Sequence, residues 1–186
     1  MLEPVSPQYA GPLLTVYQWQ QPLKTGGTVT FERCVRPDTV AVIAFLDAHT
    51  VLLSRELQLT HTHPFLDVPG GRVDAGETHE AAAQRELQEE TGYKATELLL
   101  WSTSSYKGLI QFQQSIFLAK GLTKLTQPAA THDATEDITL LTPSFEEFSA
   151  LCLSGSLRRS EVMLAVLQMQ HDPKAAQRLK DFLEDV

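Results

Sequence analysis

The chain has 186 residues, 42% hydrophobic and 20% charged, which suits one globular domain, or one domain with a small appendage, built on a real apolar core. Its net charge of −8 argues against a nucleic-acid binder, which needs a basic stripe to neutralise phosphates. A small anionic ligand stays open, because clustered carboxylates can hold divalent cations that present positive charge to phosphate. Met1-Leu-Glu-Pro-Val-Ser-Pro lacks the basic and apolar regions of a secretory leader. The longest apolar run, Val40 to Leu46, is too short for a bilayer. Cys34 and Cys152 stand far apart, in no metal-ligand spacing. A cytoplasmic protein with free thiols and no membrane contact is expected.

In chain order, Leu13-Leu-Thr-Val-Tyr-Gln-Trp predicts a strand, Lys24-Thr-Gly-Gly a turn, and Val29 to Val35 a second strand of imperfect alternation. Tyr17, Trp19 and Phe31 in these strands are expected in the core, with stacking on a base across a dimer interface as the alternative. Val40 to Leu46 and Val51 to Arg55 are strand candidates joined at Asp47-Ala-His-Thr. His61-Thr-His63, followed by Pro64 and with no third ligand nearby, reads as a polar loop rather than a metal pair. Leu66-Asp-Val is a very short strand halted by Pro69-Gly70-Gly71.

The period then becomes helical from about Thr78 to Thr91, with Gly92 as a C-terminal cap. Leu98 to Trp101 and Ile110 to Ala119 predict further strands. Gly121 to Glu136 reads as a long loop, a place where function is often found. Asp137 to Leu141 is a last strand. Thr142-Pro143, Ser160 and Asp172-Pro173 open three helices, with Arg158-Arg159 read as an exposed basic pair before the second and a phosphate contact as the alternative. The expected architecture is a three-layer α/β arrangement, a mixed sheet with helices on its faces.

The stretch from Gly71 to Tyr93 carries the chemistry. At about 100° per residue, Glu86 and Glu90 share a helix face roughly 40° apart, with Glu89 flanking them by about 60°. Exposed like charges so placed cost about a few tenths of a kcal/mol per pair. A hard cation would relieve the repulsion, and magnesium bound by carboxylates and substrate phosphates is the expected form. Gly70 and Gly71 allow a tight turn that brings a backbone carbonyl near the cation. Arg85, four residues before Glu89 and eight after Glu77, can pair with either. Ala82, Ala83 and Leu87 supply an apolar anchor. A solvated acidic helix would account for Glu86, Glu89 and Glu90 alone, but not for the whole pattern of glycine, five residues, Glu77, seven residues and Arg85-Glu-Leu-Gln-Glu-Glu-Thr-Gly-Tyr93.

That pattern fills every fixed position of the Nudix box, and the sequence resembles the Nudix hydrolases, which cleave nucleoside diphosphates linked to another moiety. The resemblance implies a Nudix-type α/β/α sandwich with a mixed sheet, here preceded by a small N-terminal β meander. Residues 1–36 would form the N-terminal strand region and residues 37–186 the hydrolase domain. It implies Mg²⁺, with Mn²⁺ as the alternative, held by Glu86, Glu89, Glu90 and the carbonyl of Gly70. Glu77 and Arg85 would orient the loop and helix.

Leu66-Asp-Val-Pro-Gly-Gly, Ala81-Ala-Ala-Gln-Arg-Glu-Leu, Glu136-Asp-Ile-Thr and Ser154-Gly-Ser-Leu look like the ADP-ribose and nucleoside-diphosphate-sugar pyrophosphatases. That likeness implies a homodimer built through the N-terminal strands and a catalytic carboxylate in the long loop, Glu136 first and Asp133 second. Arg55 and Tyr106 are the candidate substrate contacts. Two departures leave the substrate open. No proline occurs between Gly92 and Gln127, where Ser104-Ser-Tyr-Lys-Gly108 stands instead, and the basic residue before the box is matched only loosely by Arg55. Nucleoside triphosphates or dinucleoside polyphosphates are alternative substrates. A non-catalytic nucleotide-binding module is a further alternative, disfavoured because Glu86, Glu89 and Glu90 are all intact.

Overall fold

The computed structural model describes residues 6–59, 61–126 and 136–184, with Glu136 and Asp137 described by their backbone alone. The elements run β1 (Pro7–Ala10), β2 (Thr15–Pro22), β3 (Thr28–Val35), β4 (Thr39–Asp47), β5 (Thr50–Gln58), β6 (Phe65–Asp67), α1 (His79–Thr91), β7 (Tyr93–Lys94), β8 (Glu97–Lys107), β9 (Ile110–Lys120), β10 (Thr123–Lys124), β11 (Glu136–Leu141), α2 (Phe145–Leu153), α3 (Ser160–His171) and α4 (Pro173–Leu183). One nine-stranded sheet has the order β1-β2-β3-β9-β4-β5-β11, with β6 on β5 and β8 on β9, and a second sheet pairs β10 with β7. β9 runs parallel to β3 and β4 and antiparallel to β8, so the sheet is mixed.

The run Val40 to Leu46 is continuous rather than alternating because β4 has a helix layer on each face. Its period of two sends Val40, Val42 and Ala44 towards Ala82, Ala83 and Leu87 of α1. Ala41, Ile43 and Phe45 pack on the opposite side with residues of α2, α3 and α4, among them Phe148, Val162, Val166 and Phe182. Leu52 joins the α1 side, and Val51 and Leu53 the other. This is the expected α/β/α sandwich with a mixed sheet. No helix among the described residues is long and apolar enough to cross a membrane.

Local structure departs from expectation at several points. The first described strand, Pro7–Ala10, is polar at its start and gave no apolar signal. β2 begins at Thr15, not Leu13, because the Gly11 N–H donates to the Leu14 carbonyl (2.9 Å) and holds the preceding residues in a turn. Tyr17, Trp19 and Phe31 are not core residues. Tyr17 and Trp19 are half-buried and Phe31 is 47% exposed. All of residues 28–32 in β3 are exposed, so neither face of that stretch is covered, which explains its imperfect alternation. Ser104 to Lys107 continues β8 as far as a tight connection to β9.

Thr142-Pro143 does not open α2. Ser144 is the cap, accepting from the Glu147 N–H while the Glu147 carboxylate accepts from the Ser144 N–H. Ser144→Ala should lower unfolding free energy by about 1 kcal/mol, measured by urea denaturation. α3 opens at Ser160 as expected, with Arg159 in the preceding cap position making no side-chain cap bond. Asp172-Pro173 does open α4, with Asp172 accepting from the Lys174 N–H.

Candidate functional site

α1 begins at Thr78, whose hydroxyl accepts from the Ala81 N–H, and ends on Gly92 in the left-handed region (φ 72°). Its apolar side, Ala82, Ala83 and Leu87, is fully buried against β4 and β5. That anchoring fixes the rotation of the helix and so determines where the glutamates stand. Arg85 lies at the centre of them. Its Nε and Nη2 donate to Glu77 (3.0 and 2.9 Å), Nη1 donates to Glu86 (2.7 Å) and Glu89 (3.1 Å), and Nη2 also donates to the Arg72 carbonyl (2.8 Å). Pairing with Glu77 or Glu89 was expected. The guanidinium serves both and Glu86 as well, which ties the loop before the helix to the helix itself.

Arg85 sets the ionisation of its neighbours. Its hydrogen bonds to Glu77 hold that carboxyl below its ordinary value, and the same bonds raise the pKa of Arg85. A carboxyl depressed in the folded state contributes stability that is complete above its unfolded value of roughly 4.3. That contribution is lost as pH falls through the lower folded value. Glu77→Gln should therefore flatten the acid limb of stability against pH, read by denaturant unfolding from about pH 6 to 3.

Glu90 faces away from Arg85. Its Oε2 accepts the Gly70 N–H (3.1 Å), and burial, reinforced by Glu56 and Glu86, pushes its carboxyl well above the usual range, with Arg159 acting against the rise. Glu86 is also raised, by burial above all and by Glu89, against the pull of Arg85. Glu56 arrives from β5, where alternation places Leu52, Ser54 and Glu56 on the α1 side. It is 4% exposed and accepts from Ser54 Oγ (2.5 Å), which lies 2.9 Å from the Asp67 carbonyl. Sequence reasoning missed Glu56. The available signal was a pair of polar residues, Ser54 and Glu56, continuing the inward-facing register of an otherwise apolar strand.

The loop before α1 is shaped by glycine in two places. A Cβ on Gly70, at φ +155°, would lie 2.3 Å from the Val40 carbonyl oxygen and 2.7 Å from Ala41 Cα. One on Gly71 would lie 2.4 Å from Glu86 Oε1. The loop backbone therefore lies directly on β4 and under the Glu86 carboxylate. It also pairs with the strand, as the Val40 N–H donates to the Gly71 carbonyl (2.9 Å) and the Val42 N–H to that of Pro69 (2.8 Å).

Arg159 is not the exposed side chain that its sequence context suggests. Its side chain is only 18% exposed and pairs with fully buried Asp67 (2.8 Å). The reason lies in the chain before it. Leu157 bridges Leu66 and the Arg158 N–H donates to the Leu66 carbonyl (3.0 Å), so residues 157–159 run along β6 and turn Arg159 inward. Arg158 alone remains exposed, over the Phe65 ring (4.8 Å).

Of the remaining candidates, Arg55 is exposed on the β5 face opposite Ser54 and Glu56. Tyr106 stacks on Phe112 (4.5 Å between centroids, 8°), and its hydroxyl donates to the Glu161 carboxylate at the start of α3. Glu136 opens β11 in register with Gln58, two residues beyond Glu56. Asp133 lies outside the described residues. His61 and His63 sit in an exposed loop, with His61 against Phe65 (4.9 Å).

The donor set gathered between α1, β5 and the loop is entirely oxygen, from Glu56, Glu86, Glu90 and the Gly70 carbonyl, which suits a hard divalent cation. Raised carboxyls packed against one another are what such a cation would relieve. As the side chains stand, Glu86 and Glu89 are turned to Arg85, and among the described residues no three carboxylate, histidine or cysteine groups form a ready-made cage.

Comparison with known proteins places this geometry. The chain is 28% identical over 149 residues, 80% of each chain, to a methanol dehydrogenase activator of Bacillus methanolicus. It is 26% identical over 165 residues, 87% of this chain and 88% of the other, to an ADP-ribose pyrophosphatase of Bacillus subtilis strain 168. A crystal structure of an ADP compounds hydrolase superposes with a TM-score of 0.75 over 96% of both chains at 21% identity, a likeness of fold. The model of the NUDIX domain matches residues 35–154, which hold β4 to β11, α1, α2 and the glutamate cluster, and the chain belongs to that family.

Proposed function

We propose that this chain is a pyrophosphohydrolase that cleaves the diphosphate bond of ADP-ribose or another nucleoside-diphosphate sugar, giving a nucleoside monophosphate and a sugar phosphate. The observation that carries the reading is the half-buried Glu90, packed beside Glu56 and Glu86 against the Gly70 peptide within a complete Nudix motif. Similarity to an ADP-ribose pyrophosphatase along most of the chain supports the substrate class.

We assign Mg²⁺ to the site, with Mn²⁺ as the alternative, held by Glu86, Glu90 and the Gly70 carbonyl, with Glu89 completing the cluster. Such a cation supplies charge stabilisation on the phosphate oxygens and a lowered pKa for water. Arg85 keeps the Glu86 and Glu89 carboxylates in their rotamers. Water attacks one phosphorus in line, the bridging P–O bond breaks, and the water's proton passes to a loop carboxylate, Glu136 first and Asp133 second. Arg55 and Tyr106 are the proposed substrate contacts.

The test is incubation of the purified chain with Mg²⁺ and a panel of ADP-ribose, other nucleoside-diphosphate sugars, dinucleoside polyphosphates and nucleoside triphosphates. Cleavage of a diphosphate sugar to a monophosphate and a sugar phosphate is expected. Preference for triphosphates or dinucleoside polyphosphates would replace the substrate assignment. No turnover by folded, cation-binding protein would favour a binding module.

We also propose that residues 1–36 are a dimerisation element of the 37–186 hydrolase domain, and that the protein is a cytoplasmic homodimer. The support is the apolar surface of β2, β3 and the neighbouring β8–β9 connection, where Phe31 is 47% and Leu109 68% exposed and both line one hollow with Trp19. Isolated apolar side chains on a surface are ordinary, but a contiguous group marks an interface. Free Cys34 and Cys152 suit a reducing compartment. Phe31→Glu should shift the protein from dimer to monomer by light scattering after size exclusion, without altering the fold by circular dichroism. A wild-type monomer at micromolar concentration would refute the dimer.

A further inference from the structure

Arg159 reaches the acidic cluster from the start of α3, in the opposite helix layer, and nothing in the Nudix motif accounts for it. Its three donating nitrogens each have a separate acceptor. Nε donates to Asp67 Oδ2 (2.8 Å), Nη1 to the Val40 carbonyl (2.8 Å) and Nη2 to the Gly70 carbonyl (2.7 Å). Asp67 is itself fixed, since its Oδ1 accepts the Val68 N–H (2.9 Å) and it is fully buried. Both polar backbone groups of Gly70 are thus held, its N–H by Glu90 and its carbonyl by Arg159. The fit is close enough that a Cβ on Gly70 would lie 2.8 Å from Arg159 Nη1.

We propose that Arg159 is the positioning residue of the cation site, locking the Gly70 carbonyl in the orientation a divalent cation requires. The inference rests on the assignment of that carbonyl as a ligand made under the proposed function. A backbone oxygen is a useful ligand only if its direction is fixed in advance, and side chains have rotamers to adjust whereas this peptide has none. A carbonyl has two lone pairs, so accepting from Arg159 leaves one for the cation. The planar fork joins β4, β6 and the loop in one plane, which the point charge of a lysine cannot do. The positive charge of Arg159 near a cation is tolerated because Asp67, Glu56 and Glu90 all lie beside it.

Arg159→Lys separates the fork from the charge. Binding of Mn²⁺ alone to the full-length chain, followed by the electron paramagnetic resonance of free Mn²⁺, should weaken by about 10-fold or more in this variant. Should Arg159→Lys not fold, Arg159→Gln combined with Asp67→Asn replaces the buried ion pair by neutral amides and carries the same expectation. A purely structural pair would lower the melting temperature of either variant and leave Mn²⁺ affinity at the wild-type value, and that result overturns the proposal. Absence of Mn²⁺ binding in the wild type, or binding unaffected by Glu90→Gln, would instead overturn the assignment of the cation site and the proposal with it.

Discussion

Glu90→Gln should reduce kcat/KM for a diphosphate-sugar substrate by at least about 1,000-fold, or about 4 kcal/mol in the transition state. The substitution is nearly isosteric and preserves an acceptor for the Gly70 N–H, which now donates to Glu90 Oε2 at 3.1 Å. What it removes is charge. Burial and the neighbouring Glu56 and Glu86 already oppose ionisation of this carboxyl, so the metal-free variant should unfold at the same temperature as wild type or higher. Thermal melts with EDTA and kinetics with Mg²⁺ give the two readouts. Lost activity at unchanged or raised stability fits a ligand held under electrostatic strain. Lost activity together with a lowered melting temperature would make Glu90 a structural residue and remove the basis of the mechanism.

Gly70→Ala should be the most damaging small substitution in the loop. The added methyl meets backbone, the Val40 carbonyl oxygen at 2.3 Å and Ala41 Cα at 2.7 Å, at a φ of +155°. Neither atom can move without displacing β4, whose side chains are buried on both faces. Unfolding free energy should fall by roughly 2–4 kcal/mol, measured by urea denaturation, with loss of Mn²⁺ binding. Gly71→Ala differs instructively, because its methyl meets the far end of the Glu86 side chain, at 2.4 Å from Oε1. A flexible carboxylate can swing aside, so the stability loss should be smaller, within about 1–2 kcal/mol, while cation binding falls because Glu86 has moved. Equal stability losses for the two variants would contradict this account of the loop.

Much of the site was legible because its parts are close in sequence. The helical period from Thr78, the Gly92 cap and the shared face of Glu86 and Glu90 are all local, and α1 spans His79–Thr91 as those signals required. Arg85 was legible for the same reason, as a residue within reach of partners on its own helix and the preceding turn. The buried strand Val40 to Leu46 announced itself by unbroken apolar composition.

Glu56 and Arg159 escaped because their roles depend on contacts across the chain. Arg159 meets Asp67 and Gly70 at sequence separations of 92 and 89 residues. Nothing local distinguishes it from Arg158, which stays exposed and lies over the Phe65 ring. Its inward turn depends on the bridge from Leu157 to Leu66, a tertiary pairing. The N-terminal strands misled for the opposite reason. Trp19 and Phe31 have the composition of core residues but lie on a ribbon that no helix among the described residues packs against.

In the proposed mechanism, hydrolysis depends on a cation held jointly by Glu86, Glu90 and the Gly70 carbonyl. Anomalous diffraction from a crystal soaked in Mn²⁺ tests it most directly. The expected result is a peak bounded by these three ligands, about 2.0–2.6 Å from their oxygens, with Arg159 still donating to the Gly70 carbonyl. A cation bound elsewhere on the chain, with Glu90 left hydrogen-bonded to the Gly70 N–H as it is without metal, would contradict it.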